Sequence, residues 1–177
     1  PLALDGDTRS PFSRWILVWL GLLAVATGLL YASVLPPWGL IDEQQHLHYI
    51  QYIVEERTLP VMGRDMLSPE IVDSLFTVRR WYHFHWPPPA APDPEVMGLE
   101  GHSYEAYQPP LYYLLMAPFY VIVPGGVLEK LFALRYVAVV LSLPTLWFAY
   151  KTARLVLPQR LIVAYGVVGL LILIPER

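Results

Sequence analysis

The apolar run from Trp15 to Leu35 carries no charge, and that fixes the first element of this chain. About 20 residues at 1.5 Å each span the roughly 30 Å hydrocarbon core of a bilayer, so the run is read as a membrane-spanning helix. It is too long for the apolar region of a secretory signal, and Ser33-Val-Leu-Pro-Pro is a poor small-residue cleavage site, so the helix is expected to be retained. Directly after it comes Ile41-Asp42-Glu43-Gln44-Gln45-His46. An acidic pair held at a membrane exit is a candidate for chemistry at the interface.

Composition points the same way. Hydrophobic residues make up 55% and charged residues 15%, with a mean hydropathy of +0.42, more apolar than a soluble domain. With no cysteine, disulfides, thiolate catalysis and Cys-based zinc sites are excluded. A net charge of −3 without a basic run argues against nucleic acid as a partner. No glycine-rich phosphate loop or dinucleotide fingerprint is present. The chain starts at Pro1 and stops just after a fourth apolar stretch, so it is expected to be the N-terminal part of a larger protein.

The fold class expected is an all-α integral membrane chain with about four transmembrane helices and a large extracytoplasmic first loop carrying amphipathic surface helices. Residues 1–14 would form a cytoplasmic tail, 15–35 the first span, 36–108 the loop, 109–124 the second span, 131–157 the third with a kink at Pro144, and 160–175 the fourth. The loop holds all five histidines and 11 of the 15 acidic residues, so it is the water-facing, chemical part. Asp42 to Leu59 has no breaker before Pro60 and places Leu47, Ile50, Ile53 and Val54 at helical spacing, which predicts an amphipathic helix on the membrane. Ser68-Pro69-Glu70 supplies a cap, a first-turn proline and an acid for a second helix to Arg80. Five prolines between Pro87 and Pro94 predict an extended loop. Lys and Arg on either side of the spans give only a weak orientation signal.

On a helix, Asp42, Glu43 and His46 would share a face, so three titratable groups would converge. The plain alternative is a solvated helix N-terminus, where the macrodipole favours acids. Asp42, His46, His83, His85 and His102 could supply zinc ligands, although no compact zinc motif is present. Trp81-Tyr82-His83-Phe84-His85-Trp86 could stack on a sugar or anchor at the interface. Arg135, opening the third span, has snorkelling to lipid phosphate as its ordinary explanation.

A first span ending in Pro36-Pro37, then Asp42-Glu43-x-x-His46-x-x-Tyr49, Leu59-Pro60, and a loop closing in Glu105-x-x-Gln108-Pro109-Pro110-Leu111-Tyr112-Tyr113 resembles the membrane glycosyltransferases of the GT-C fold. Within that fold it looks like the protein O-mannosyltransferase and aminoarabinose transferase type, or a neighbouring bacterial membrane family of the same layout. Leu134-Arg135-Tyr136 opening a span that ends Tyr150-Lys151-Thr152-Ala153-Arg154 is similar to that family's third helix. The resemblance implies sugar transfer from a polyprenyl-phosphate carrier to a lipid, glycan or protein acceptor at the outer face of the plasma (inner) membrane. It implies catalytic roles for Asp42, as base, and for Glu43, which would support it or hold the acceptor. His46, Tyr104, Glu105, Gln108, Arg79 and Arg80 are the candidate substrate contacts, with Arg57, Arg79, Arg80 or a metal facing the phosphate charge. No protein-built metal site is assigned, and the cofactor stays open, a divalent metal near Asp42 being one option. Many relatives carry His or Lys where this chain has Gln108, which hydrogen-bonds but cannot neutralise charge. An inverting transferase with a phosphate leaving group can work with one base. The fragment alone is expected to be inactive. The rivals are a non-catalytic envelope polysaccharide transport or assembly protein and a zinc-dependent membrane hydrolase.

Overall fold

The computed structural model describes residues 11–173, with side chains from Arg14 onward. Most of the expected tail and the end of the expected fourth span, residues 174–175, lie outside the described residues. All regular structure among the described residues is helical: α1 (Pro11–Val34), α2 (Glu43–Glu56), α3 (Pro69–Thr77), α4 (Trp81–Phe84), α5 (Leu111–Ile122), α6 (Val127–Val156) and α7 (Leu161–Leu173). Single 310 turns occur at Gly98–Gly101 and Tyr104–Tyr107, and Met66 and His102 form an isolated bridge.

The chain divides into two compact units, one made of residues up to Val34 with those from Ala138 on, the other of Leu35–Val137. In the first, Tyr150, Ala164 and Val168 form a small core lined by Leu17, Leu20 and Leu146. Tyr150 and Tyr165 stack with ring centroids 5.8 Å apart. Gly28 lets α1 approach α6: a Cβ there would lie 2.7 Å from Cγ1 of Val139. Large apolar side chains on the outside, among them Trp15, Trp19, Leu30, Phe148 and Ile162, are exposed. Two helices, Arg14–Val34 and Val127–Val156, are long and apolar enough to cross a bilayer. Helices α5 and α7 are apolar but shorter, roughly 18–20 Å against a core of roughly 30 Å.

The second unit is built around α2, which packs on α5 and on the 310 turn at 104–107. Here the structure corrects the sequence reading. Helix α2 is shorter than Asp42–Leu59 because Arg57 turns left-handed (φ 55°) and returns its N–H to the Ile53 carbonyl, ending the helix before Pro60. It is also no one-sided surface helix, since Gln44, Gln45, Leu47, His48, Tyr49 and Ile50 are all buried. Helix α3 has the expected Ser68 cap, whose side chain accepts from the Ile71 N–H, but ends at Thr77. Arg79 then takes φ 54°, and the Arg80 N–H reaches back to the Leu75 carbonyl. The segment around His83 is one helical turn, not extended. Of the stretch Pro87–Pro94, expected to be extended, residues 87–89 have no regular structure, 90–92 bend and a turn begins at Pro94. Helix α6 starts four residues before position 131, where Gly125 turns with φ 106° and the Glu70 carboxylate accepts the Val127 N–H at 3.0 Å, a side-chain anion on a helix N-terminus. Pro144 sits inside α6 without ending it.

Gly101 supports this unit through close backbone approach. A Cβ at this position would fall 1.9 Å from the Pro94 carbonyl oxygen and 2.6 Å from its carbon, and backbone atoms cannot step aside as a flexible side chain would. Gly101→Ala is expected to destabilise the chain by about 1–3 kcal/mol, read as a shift in the urea midpoint. An unchanged midpoint would refute the close approach.

Candidate active site

Asp42 stands at the entry to α2 with φ −109° and ψ 8°, outside the helix, and its side chain makes no capping hydrogen bond. Its backbone carbonyl closes the first turn by accepting from Gln45 and His46 N–H. The carboxylate is therefore not used as a cap. Instead its Oδ1 accepts the Tyr104 hydroxyl at 2.5 Å, and it forms no ion pair among the described residues. Burial, followed by the bond to Asp42, pushes the Tyr104 phenol well above its ordinary pKa, so it stays a proton donor that fixes the carboxylate.

Glu43 is placed differently. Its two oxygens accept from Arg135 Nε at 2.6 Å and Nη2 at 2.8 Å. The same guanidinium donates to the carbonyls of Leu35 at 2.7 Å and Pro36 at 2.9 Å and lies over the Phe132 ring. Arg135 does not reach out to lipid phosphate. Its charge is matched by the buried Glu43, and it pins the Leu35–Pro36 corner to the start of α2.

His46 turns to a third partner, Tyr113, whose hydroxyl lies 2.9 Å from Nδ1. Tyr113 stacks on Tyr49 with centroids 3.8 Å apart, and the Tyr49 hydroxyl donates to the Gln108 carbonyl at 3.2 Å. Asp42, Glu43 and His46 thus each engage a different partner. Asp42 precedes the helix, so helical spacing does not govern its direction.

The remaining candidates fall into two groups. Glu105 is buried and accepts from the Gln108 amide at 2.5 Å. Gln108 is thereby tied to Glu105, and Pro110, not Gln108, stands at the start of α5. Tyr104 and Glu105 sit on the 310 turn packed against α2, so Tyr104 with Asp42, and Glu105 with Gln108, belong to one region. Arg80 is buried, donating to Glu100 Oε2 at 3.2 Å and to the Ile41 carbonyl at 2.5 Å, one residue before Asp42. Arg79 is exposed in the left-handed turn and not part of this arrangement, as is Arg57.

The aromatic run is organised by Arg80. Phe84 and Trp86 stack at 4.8 Å and both face the guanidinium, at 5.0 Å and 6.0 Å, while Trp81 packs on Phe76. Tyr82, His83 and His85 are exposed. Among the described residues no three His, Asp or Glu side chains are grouped as metal ligands would be. Sequence reasoning missed Arg135 as the partner of Glu43 and Glu100 as the partner of Arg80; Tyr49 and Tyr113 stood in the quoted motif without a role. A charged residue inside an apolar helix was the available signal for the first.

Farther along α2, burial holds the His48 imidazole at about 4, below its ordinary 6.5, although the nearby Asp65 carboxylate acts in the opposite sense. The unfolded chain then takes up a proton that the folded chain refuses. Stability is unaffected above pH 6.5 and falls as pH drops from 6.5 towards 4, by about 3 kcal/mol in all. His48→Leu is expected to flatten the stability–pH curve in that window, measured by unfolding at stepped pH. An equally steep curve in the variant would show that His48 is not its source.

No family model, curated protein or solved structure matches this chain.

Proposed function

We propose that the chain is the N-terminal part of a membrane glycosyltransferase that moves a sugar from a polyprenyl-phosphate carrier to a lipid, glycan or protein acceptor. In this reading α1, α5, α6 and α7 lie in the plasma (inner) membrane, and the segment between α1 and α5 faces outward. The exposed apolar surface of α1 and α6 supports the membrane placement. The observation that carries the chemistry is the carboxylate of Asp42. It caps no helix and forms no ion pair among the described residues, and a tyrosine hydroxyl orients it.

Asp42 would take the proton of the acceptor hydroxyl as that oxygen attacks the anomeric carbon. The bond from that carbon to the carrier phosphate breaks, and the phosphate leaves with the electron pair. Tyr104, a neutral donor, holds Oδ1 of the Asp42 carboxylate and so orients it. Buried Arg80 lies beside the site on the Ile41 carbonyl, its charge shared with Glu100, while Arg79 and Arg57 are exposed outside this arrangement. Glu43 takes no part in the reaction and serves with Arg135 to hold Asp42 in position. The steps assigned here are those of the chain's own residues, and the cofactor stays open.

The test is sugar transfer in membranes lacking the endogenous parent protein, complemented with the full-length protein or its Asp42→Asn form, with expression checked by blot. Loss of transfer at equal expression is the expected result. Equal transfer would refute the base and return the reading to a non-catalytic envelope transport or assembly protein.

A further inference from the structure

One face of α2 is buried, polar and unpartnered. Gln44, Gln45 and His48 are exposed to only 1%, 1% and 3%. Both polar atoms of the Gln44 side chain, Oε1 of Gln45 and both ring nitrogens of His48 have no hydrogen-bond partner among the described residues. Spacings of three and four residues put His48 on the same side of the helix as both glutamines. The segment at 100–103 closes this side, since Gln45 Nε2 donates to the Glu100 carbonyl at 2.9 Å. Ser103, 2% exposed, donates its N–H to the Asp65 carbonyl at 2.8 Å, and its own hydroxyl oxygen is unpartnered as well. His48 lies within the field of the same Asp65.

Buried polar groups in folded proteins are hydrogen-bonded, and leaving this many bare in one place would cost more than the unit could tolerate. The chemistry of the partner follows from the groups themselves. Each amide offers an acceptor and a donor, and a neutral imidazole offers one of each. The charges at hand are already matched: the Asp65 carboxylate is taken by Arg64 at 2.9 Å and by the Val61 N–H at 2.7 Å, and Arg80, whose Nε is itself among the unpartnered buried atoms, is held by Glu100 Oε2 at 3.2 Å. An anion or a metal ion would find no counter-charge here. A hydroxylic ligand that both donates and accepts fits, and with the side chains almost wholly enclosed the ligand of that class is water. We infer that the buried face of α2 is a hydration site in which ordered water is shared by Gln44, Gln45, His48 and Ser103. The site is separate from Asp42 and does not depend on the glycosyltransferase reading.

The test is radiolytic hydroxyl labelling of the full chain in lipid nanodiscs. An X-ray pulse turns bound water into hydroxyl radical in place and oxidises the adjacent side chain even where bulk solvent cannot reach. His48 should be labelled while the equally buried Leu75 and Val72 are not. On rapid mixing into heavy-oxygen water before the pulse, the label should keep the light isotope longer than that on exposed Tyr82. A His48 as unlabelled as Leu75, or one that takes up the heavy isotope as fast as Tyr82, would overturn the inference. Loss of the label on adding a monosaccharide would assign the face to sugar hydroxyls and overturn it too. Gln44→Leu should lower the His48 label in a folded protein, and an undiminished label there would remove Gln44 from the site. Should that variant not fold, the wild-type comparison still decides.

Discussion

Arg135→Leu is expected to destabilise the protein by about 3–5 kcal/mol, because it leaves the buried Glu43 carboxylate without its counter-charge. The carboxylate is 8% exposed and the guanidinium 10%, so water cannot replace the lost partner. The carbonyls of Leu35 and Pro36 lose their donors in the same step. Arg135→Lys keeps the charge but cannot serve two carboxylate oxygens and two carbonyls in one plane, and should lie between wild type and Arg135→Leu. The double variant Glu43→Met with Arg135→Leu should recover much of the loss, since removing both charges removes the desolvation problem with the pair. Chemical unfolding of the purified chain in detergent compares these three variants, and Glu43→Met alone, with the wild type. A double variant as unstable as the sum of the singles would mean that the two side chains act independently and that the pin does not exist.

This pin shows where the sequence could be read and where it could not. Charge-free length is a local property, so α1 was legible from Trp15 to Leu35 and α6 from its apolar run. The Ser68-Pro69-Glu70 start of α3 was legible for the same reason. Glu43 and Arg135 lie 92 positions apart, and nothing local to either announces the other. The burial of α2 was hidden by its own polarity, because Gln44, Gln45, His48 and Gln51 read as a wet face. In the fold they are covered by the segment at 100–103 and by α3, where Ser68 donates to Gln51 at 2.7 Å. Arg80 likewise read as a phosphate contact, and its enclosure by Phe84, Trp86 and Glu100 follows from the left-handed turn at Arg79, which no side-chain pattern signalled. Asp42 was singled out from its place after the first span. That it differs from Glu43 became visible only when each carboxylate could be followed to its partner.

The same difference sets the second large effect. Asp42→Asn should lower transfer by about 10²–10⁴-fold, the usual worth of a positioned general base, while stability changes by less than about 0.5 kcal/mol. The amide oxygen of asparagine can still accept the Tyr104 hydroxyl, no capping bond is lost, and no ion pair is broken. Glu43→Gln should behave in the opposite way. It leaves Arg135 buried without a full counter-charge, so stability and protein level fall, and activity per folded molecule falls less than with Asp42→Asn. Tyr104→Phe separates orientation from proton transfer: it keeps the base but removes the donor that aims it, and a loss of about tenfold or more is expected from one hydrogen bond to a charged group. Measuring transfer and unfolding on the same three preparations makes the ordering decisive. If Glu43→Gln abolished transfer in a fully stable protein while Asp42→Asn did not, the roles assigned to the two carboxylates would have to be exchanged, because a carboxylate already matched by Arg135 would then be the one whose charge the reaction needs.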